Sequence, residues 1–397
     1  MIIQPKIRGF ICTTAHPQGC AAHVQEQIDY VRKKGSVSNG PKKALIIGAS
    51  TGYGLASRIV TAFACRAATL GVVFEREAEG KRTASAGWYN TAAFEEKAHQ
   101  EGLYAKTVNG DAFSDEVKQK IIDLIKKDLG QVDLIIYSLA SPRRQHPKTG
   151  QVAKSVLRPI GKKFTNKNLN METHKLETVT LPVATPEEIE QTVSVMGGED
   201  WEMWMDAFSK ENLLAKGVTS VAYSYMGADV TKDVYRNGTI GKAKEHLEAT
   251  ASKIDQKLKA RGGRAYVSVN KALVTQSSSA IPFIPLYYVI LNKVMKEKKL
   301  DEDCVAQIYR LFATALYIKE KTPVDSHGLI RLDDEELRED VQKEVMKNWQ
   351  NLNEGNLNKV ADIKGYDKAF LKLFGFGLSN VDYNADVDPY KKIPSLP

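Results

Sequence analysis

The chain has 397 residues and a formal net charge of +8, with 43% hydrophobic and 26% charged residues. This composition is typical of a globular protein with a large core. The basic residues are dispersed in short clusters and form no dense stripe laced with aromatic residues, which argues against a nucleic-acid partner. The most apolar window, from Ala280 to Leu291, is shorter than the roughly 20 residues that span a bilayer, so we predict no membrane insertion.

The cysteines are few and scattered, which favours a reducing, cytoplasmic location over a disulfide scaffold. The N-terminal segment lacks the apolar run of a signal peptide. Cys12, His16 and Cys20 match no standard zinc spacing and lack a fourth ligand, so we predict no metal.

Apolar runs and amphipathic patterns alternate along the chain. Strands are predicted near residues 44–48, 69–74, 104–109, 132–137, 218–223 and 265–270. Helices are predicted near residues 53–65, 91–101, 114–129, 185–195, 240–261, 283–298, 301–319 and 333–350. This succession predicts an α/β fold, a Rossmann-like doubly wound parallel sheet with extra helices. Residues 141–185, rich in Pro, Lys, Asn and Thr, predict a long loop or hairpin excursion.

A glycine-rich turn follows the first predicted strand. Glycines at 48, 52 and 54 allow a tight turn and a close approach to a pyrophosphate, whose charge favours the helix N-terminus. The spacing is G-x-x-x-G-x-G, which differs from G-x-G-x-x-G and resembles the variant found in short-chain reductases. The predicted cradle comprises Gly48, Ala49, Ser50, Thr51, Gly52 and Tyr53.

Glu75 ends the second predicted strand, 21 residues after Gly54. An acid at this position is expected to bond the adenosine ribose hydroxyls and to repel a 2′-phosphate, so it favours NADH over NADPH. Arg76 beside it is a counter-argument, because an arginine accommodates that phosphate. We therefore predict an NADH-binding catalytic domain over residues 1–325, with substrate-binding helices at about 280–320. The acidic residues 326–397 are predicted to be a helical extension packed on it.

Eight residues separate Tyr235 from Lys244. On one continuous helix these side chains would point about 180° apart and lie about 13 Å apart, so the chain must break between them. Asn237 and Gly238 tolerate the positive φ of a turn. We therefore place Tyr235 before a helix that begins near Thr239, with Lys244 about one turn inside it.

The predicted chemistry is hydride addition to an enoyl thioester. The site must then offer a donor to the thioester oxygen in a water-poor pocket. The Tyr235 hydroxyl fits this role, and a nearby Lys244 ammonium would lower its pKa while bonding the nicotinamide ribose. Tyr225 follows the fifth strand as a second phenol, whereas Tyr223 points to the other face or packs in the sheet. The apolar segment from Phe283 to Leu291 predicts a buried core helix, the wall of an acyl-chain pocket, or both.

Motifs along almost the whole chain resemble the trans-2-enoyl-thioester reductases that act on enoyl-acyl-carrier protein or enoyl-coenzyme A, large relatives of the short-chain dehydrogenases. The motifs are Thr13 to Cys20, Gly48 to Gly54, Gly87 to Asn90, Asp111 to Asp115, Tyr137 to Pro142, Met196 to Trp201, Tyr235 to Lys244 and Val294 to Lys298. The eight-residue gap between Tyr and Lys distinguishes this family from ordinary short-chain dehydrogenases, where the gap is three.

The resemblance implies that Tyr235 is the catalytic donor and that Tyr225 contacts the substrate carbonyl. It implies that NADH is held by Lys244 and the glycine-rich cradle, together with Phe74, Glu75, Asp111, Ala112, Leu139, Ala140, Leu273, Val274 and Thr275. It also implies a monomer without flavin. The lysine clusters suit either coenzyme A or an acidic carrier protein.

Three other functions are compatible with some of these residues. A carbonyl-reducing short-chain dehydrogenase would show a Tyr-x3-Lys pattern, but Thr239 occupies that position after Tyr235. A methyltransferase would use the glycine-rich loop and distal acid but would give Tyr235 and Lys244 no role. A non-enzymatic NAD(H) sensor would bind the dinucleotide without turnover.

Overall fold

The computed structural model describes residues 1–9, 11–279 and 281–397. Ala280, where the predicted apolar window and substrate-binding helices begin, lies outside the described residues. Among the helices described, none has the length and apolar character to cross a bilayer.

Seven of the strands form one parallel sheet, and the others form antiparallel pairs. In chain order the strands are β1 (Ile7–Arg8), β2 (Ile11–Cys12), β3 (Lys43–Ile47), β4 (Ala68–Val73), β5 (Ala105–Asn109), β6 (Val132–Tyr137), β7 (Arg143–Gln145), β8 (Val152–Lys154), β9 (Phe164–Asn170), β10 (Lys175–Leu181), β11 (Leu214–Ser224), β12 (Arg264–Val269) and β13 (Ile330–Arg331). The sheet order is β13-β12-β11-β6-β3-β4-β5. From β5 to β12 this is the order of dinucleotide-binding folds, and it confirms the predicted fold class.

Helices cover both faces of the sheet. They are α1 (Pro17–Lys34), α2 (Gly52–Cys65), α3 (Ala86–Gln100), α4 (Asp115–Leu124), α5 (Pro186–Met196), α6 (Glu199–Lys210), α7 (Thr239–Leu258), α8 (Gln276–Ser279), α9 (Ile284–Glu297), α10 (Cys304–Leu311), α11 (Glu339–Gln350), α12 (Leu357–Val360) and α13 (Ile363–Lys372). Single π-helical turns extend α4 over Ile125–Leu129 and α10 over Phe312–Leu316, and a 3₁₀ turn, Lys259–Arg261, follows α7.

The central strands are buried on both sides, as their continuous apolar runs predict. Along β3, Ala44 and Ile46 pack with α1, α2 and α10, whereas Leu45 and Ile47 pack with α4, α6 and α7. This double burial fixes the sheet, and with it the positions of the loops at the carboxyl ends of the strands.

Helices α1 and α6 were not predicted, although their sequences carry the helical signal. In α6 the buried residues Trp201, Trp204, Met205 and Phe208 recur three or four residues apart. Acidic residues between them break up the apolar run, which explains why the stripe was missed.

The 141–185 excursion is confirmed as two antiparallel hairpins, β7 with β8 and β9 with β10. The second hairpin contacts the start of α9. Phe164 packs edge to face on Phe283, with ring centroids 5.2 Å apart, and Asn168 Oδ1 accepts a hydrogen bond from the Phe283 N–H.

The chain beyond residue 325 begins with β13, which adds a seventh strand beside β12. Helix α11 then packs on α9. The last residues return to α3, where Tyr89 donates a hydrogen bond to the carbonyl oxygen of Pro389 (2.7 Å). The division of the chain at residue 325 remains a prediction.

A buried ion pair joins α2 to α3 above the sheet. Arg58 Nη2 lies 3.4 Å from Glu95 Oε1, and both side chains are fully buried. Glu95 also accepts hydrogen bonds from Thr107 Oγ1 (2.5 Å) and from the backbone N–H and hydroxyl of Ser395 (both 2.9 Å). Burial lowers the pKa of Arg58, and Glu95 opposes that shift.

Glu95→Ala is expected to lower the free energy of unfolding by about 3–5 kcal/mol, because it leaves Arg58 buried without its anion. Urea denaturation measures this loss. Glu96→Ala, an exposed position on the same helix, is the control and should change stability by less than about 0.5 kcal/mol. A loss for Glu95→Ala as small as the control's would show that the pair does not stabilise the fold.

Candidate active site

The glycine-rich turn lies where β3 ends and α2 begins. Gly48 and Gly52 have φ of 85° and 53°, in the region that favours glycine. A Cβ at Gly48 would overlap the carbonyl oxygen of Ser138, and a Cβ at Gly54 would overlap that of Gly48. The Thr51 side chain does not cap α2, so the first N–H groups of this helix remain open to an anion. This cradle fits a dinucleotide pyrophosphate.

The other cofactor residues predicted from sequence lie at the carboxyl edge of the same sheet. Asp111 and Ala112 follow β5, Leu139 and Ala140 follow β6, and Leu273 to Thr275 follow β12. The Leu139 side chain lies against Gly48, and the Thr275 methyl group faces Gly52. Tyr53 bridges the two ends of the site, because its hydroxyl lies 2.9 Å from the carbonyl oxygen of Lys271.

Glu75 lies just beyond the end of β4, next to Phe74, whose side chain is 78% exposed. The Ser85 hydroxyl donates a hydrogen bond to Glu75 Oε2 (2.5 Å). Burial raises the pKa of Glu75, and the hydroxyls of Ser50 and Ser85 oppose that shift. The absence of a Cβ at Gly87 leaves room for this carboxylate at the start of α3.

Tyr235 and Lys244 flank the start of α7, as predicted. Tyr235 lies in a run of turns over residues 229–237, and α7 begins at Thr239. The Lys244 ammonium donates to the carbonyl oxygen of Tyr223 at 3.4 Å. Burial lowers the pKa of Lys244 to about 8, opposed by Glu248.

The predicted cause of the break between them is wrong. Asn237 is not among the residues with positive φ, and Gly238 has φ −100°. Glycine is needed at 238 for space, because a Cβ there would lie 2.5 Å from the carbonyl oxygen of Val234. The same holds at Gly241, where a Cβ would overlap the carbonyl oxygen of Arg236. The chain breaks by close backbone packing rather than by a left-handed turn.

Tyr225 and Tyr235 form the centre of the site. Their rings pack edge to face, with centroids 4.9 Å apart and an interplanar angle of 81°. Tyr235 is 7% exposed. Within the described part of the chain no protein group forms a hydrogen bond with its hydroxyl. The hydroxyl oxygen is also not fully enclosed by the protein. This hydroxyl is therefore available to a molecule in the cleft.

The predicted lowering of the Tyr235 pKa by Lys244 is wrong for this structure. Burial, and then the nearby Glu336 carboxylate, raise the pKa of Tyr235. The pKa of Tyr225 is raised for the same two reasons. Both phenols are thus held in the protonated form, which is the form that donates. Tyr223 packs in the sheet, which is one of the two positions predicted for it. Its hydroxyl lies 2.6 Å from Ser57 Oγ.

Sequence reasoning missed two residues that build the site. Asn90 Nδ2 donates to the carbonyl oxygen of Ser50 at 3.2 Å and so holds the glycine-rich turn. Glu336 is fully buried and accepts hydrogen bonds from the Tyr225 hydroxyl (3.1 Å), the Tyr287 hydroxyl (2.8 Å) and the backbone N–H of Ala272 (2.7 Å). Asn90 lies in the Gly87 to Asn90 motif, but Glu336 lies in an acidic run of the kind typical of an exposed surface.

Helix α9 is a buried core helix in this structure, which is one of the two roles predicted for it. Its side chains from Leu286 to Leu291 are buried in one core cluster with those of α11 and α13. A groove of about 650 Å³ lies beside the tyrosine pair, between residues 227–229 and α11. It is lined by apolar side chains such as Leu337 and Met346 and by polar side chains such as Gln342 and Lys343.

The sheet order, the glycine cradle and the paired Tyr and Lys define a nicotinamide-dependent reductase of Rossmann type. Comparison with known proteins identifies the family. Its models match residues 2–80, as the "NAD(P)H binding domain of trans-2-enoyl-CoA reductase", and residues 82–317, as the "Trans-2-enoyl-CoA reductase catalytic region". The chain belongs to the trans-2-enoyl-CoA reductase family.

Several relatives match the whole chain. An "Enoyl-[acyl-carrier-protein] reductase [NADH]" of Coxiella burnetii is 57% identical over 100% of this chain and 98% of its own length. A "Trans-2-enoyl-CoA reductase [NADH]" of Ruminiclostridium cellulolyticum is 56% identical over the full length of both chains. The crystal structure of the Clostridium acetobutulicum trans-2-enoyl-CoA reductase in complex with NADH has a TM-score of 0.96 and 46% identity, covering 99% of this chain and 100% of that one.

A third family model, described as "Enoyl reductase FAD binding domain", matches residues 324–387. The described residues of this region do not fit a flavin. Their interior is filled by packed side chains such as Val345, Trp349 and Phe370, and no glycine-rich turn joins β13 to α11. We assign no step to a flavin. No group of His, Cys, Asp and Glu in the described residues could hold a metal ion.

Glu75→Ala is expected to raise the ratio of kcat/KM with NADPH to that with NADH by about tenfold, because a carboxylate that repels a 2′-phosphate is removed. Steady-state kinetics with both cofactors measure the ratio. Glu77→Ala, an exposed acid two residues away, is the matched control. An unchanged ratio in Glu75→Ala would remove this carboxylate from cofactor selection.

Proposed function

We propose that this protein reduces the trans-2 double bond of an enoyl thioester with NADH. The observation that carries the proposal is the pair of packed phenols, Tyr225 and Tyr235, beside the cofactor loops at the carboxyl edge of the sheet. The hydroxyl of one of them, Tyr235, has no hydrogen-bond partner among the described residues. Membership of the trans-2-enoyl-CoA reductase family and the NADH-dependent activities in the names of full-length relatives support it.

The cradle at 48–53, Glu75 and Lys244 would hold NADH, with Asp111, Ala112, Leu139, Ala140 and the 273–275 loop along the same edge. When bound, NADH supplies the hydride that is added to C3 of the substrate. In this arrangement Lys244 would bond the nicotinamide ribose, and Glu75 would bond the adenosine ribose.

Tyr235 is the proposed catalytic donor. Hydride addition places negative charge on the thioester oxygen, and a donor aimed at that oxygen stabilises the enolate most in a site that excludes water. Burial and the nearby Glu336 carboxylate raise the pKa of Tyr235, so its hydroxyl stays protonated. Tyr225 contacts the same oxygen and fixes the orientation of the thioester.

The carbonyl-reductase alternative is not favoured by the site. Thr239 occupies the position where that class has its lysine, and its hydroxyl points away to the carbonyl oxygen of Val156. In this chain the proposed lysine is Lys244, which follows Tyr235 by nine residues and lies inside α7.

The carrier is proposed to be either acyl-carrier protein or coenzyme A, since relatives named for each are about equally similar. Lysines clustered near the groove, such as Lys343 and Lys347, suit the phosphates of either carrier. We retain the prediction of a cytoplasmic monomer. The four cysteines are unpaired, which fits a reducing compartment.

Tyr235→Phe is expected to lower kcat with crotonyl-coenzyme A by about 10²–10³, the effect of removing one oxyanion donor. The Kd for NADH, measured by fluorescence titration, should stay within about twofold of the unaltered protein, because the hydroxyl does not hold the cofactor. Tyr223→Phe, which removes a phenol hydroxyl bonded to Ser57, is the control. A kcat unchanged in Tyr235→Phe would exclude it as the donor.

The kcat/KM for NADH is expected to fall as the pH rises through about 8, because Lys244 loses its charge there. Lys244→Arg stays charged at higher pH, so its profile should be flat in this range even if its activity is lower. Lys242→Arg, an exposed position on the same helix, should keep the fall. The same fall in Lys244→Arg would assign the titration to another group.

A further inference from the structure

Glu336 joins two parts of the site that are far apart in sequence. It lies between β13 and α11, is fully buried, and accepts three hydrogen bonds. Oε2 accepts the backbone N–H of Ala272, and Oε1 accepts the hydroxyls of both Tyr225 and Tyr287. Ala272 directly precedes the 273–275 segment assigned to the cofactor, and Tyr225 is the phenol assigned to the substrate carbonyl.

A carboxylate in such a place is costly unless it is fully bonded. Three donors meet that requirement, and Gln342 Nε2 holds the backbone by donating to the Glu336 carbonyl oxygen at 2.7 Å. The buried Lys271 ammonium faces this carboxylate as its neighbouring cation, but makes no salt bridge with it among the described residues. Asp333 is the nearby acid and is paired with Arg331.

The sharing of Oε1 matters for the chemistry. The Tyr287 bond remains when the Tyr225 hydroxyl turns about its C–O bond toward another acceptor. The carboxylate then keeps two donors, and the Tyr225 ring stays packed on Tyr235. Glu336 therefore fixes the Tyr225 hydroxyl before substrate is bound, and the packing of the ring on Tyr235 keeps the phenol oxygen in place when its proton is redirected.

We propose that Glu336 is a positioning residue that sets the Tyr225 hydroxyl at a fixed place relative to the cofactor loop. This inference rests on the proposed function, because it requires Tyr225 to contact the thioester oxygen. Glu336 itself contacts neither reactant and acts through Tyr225.

The test is a double-mutant cycle between Glu336→Asp and Tyr225→Phe, read as kcat/KM for crotonyl-coenzyme A at saturating NADH. Aspartate keeps the charge but is one methylene shorter, so it cannot reach both the Ala272 N–H and the phenols. Glu336→Asp is expected to lower kcat/KM by about tenfold in the unaltered background and by less than about twofold in Tyr225→Phe, because its route of action is then already lost.

Glu335→Asp makes the same change at the neighbouring position, whose carboxylate contacts only Arg338 among the described residues, and should leave kcat/KM within about twofold. Thermal unfolding of each variant checks that it is folded. If Glu336→Asp is unfolded, Glu336→Gln, which keeps the side-chain length, takes its place in the cycle with a smaller but equally non-additive loss.

Equal losses in the two backgrounds, or an equal loss in Glu335→Asp, would overturn the role of Glu336 and leave the proposed function intact. Full activity of Tyr225→Phe alone would instead remove Tyr225 from the proposed mechanism, and the role of Glu336 with it.

Discussion

The close approach of the 48–54 turn to its neighbours is the constraint on which the site depends. The turn lies directly against the end of β6 and against itself, because at Gly48 and Gly54 any side chain would overlap a carbonyl oxygen and only glycine allows this approach. This brings the N-terminus of α2 to the edge of the sheet where the loops after β6 and β12 begin. Tyr53 and Asn90 then fix the turn by hydrogen bonds to Lys271 and Ser50. The cradle is thus built by backbone packing, with side chains holding it from outside.

The same kind of packing places the residues proposed to act in catalysis. Gly238 and Gly241 let the backbone of residues 234–236 lie against the first turn of α7. Tyr235 therefore faces Tyr225, while Lys244 enters the site from the helix. Burial affects the two groups in opposite ways, because it disfavours the charged form of each. It raises the pKa of Tyr235, which stays a neutral donor, and lowers that of Lys244 to about 8.

Much of the fold was predictable because buried parallel strands carry long apolar runs. Such runs predict six of the sheet strands, whereas the excursion at 141–185 is predicted by its content of Pro, Lys, Asn and Thr. The two-residue strand β13 was not predicted, because a segment that short has no periodicity. Helix α1 has buried residues at Cys20, Val24, Ile28 and Val31, but polar residues between them hid the stripe.

The site was predictable only where its signal is local. The spacing of Tyr235 and Lys244 requires a break in the chain, but it does not reveal that close packing rather than positive φ makes the break. Glu336 had no local signal. Its partners Tyr225, Ala272 and Tyr287 are 49 to 111 residues away, and only the folded chain brings them together.

The central claim is that hydride is added to the carbon–carbon double bond. It is tested most directly with NADH deuterated at the transferable C4 position, crotonyl-coenzyme A, and NMR of the product. The account predicts a saturated thioester with one deuterium at C3. Deuterium at the carbonyl carbon, or no oxidation of NADH by protein shown to bind it, would contradict the account.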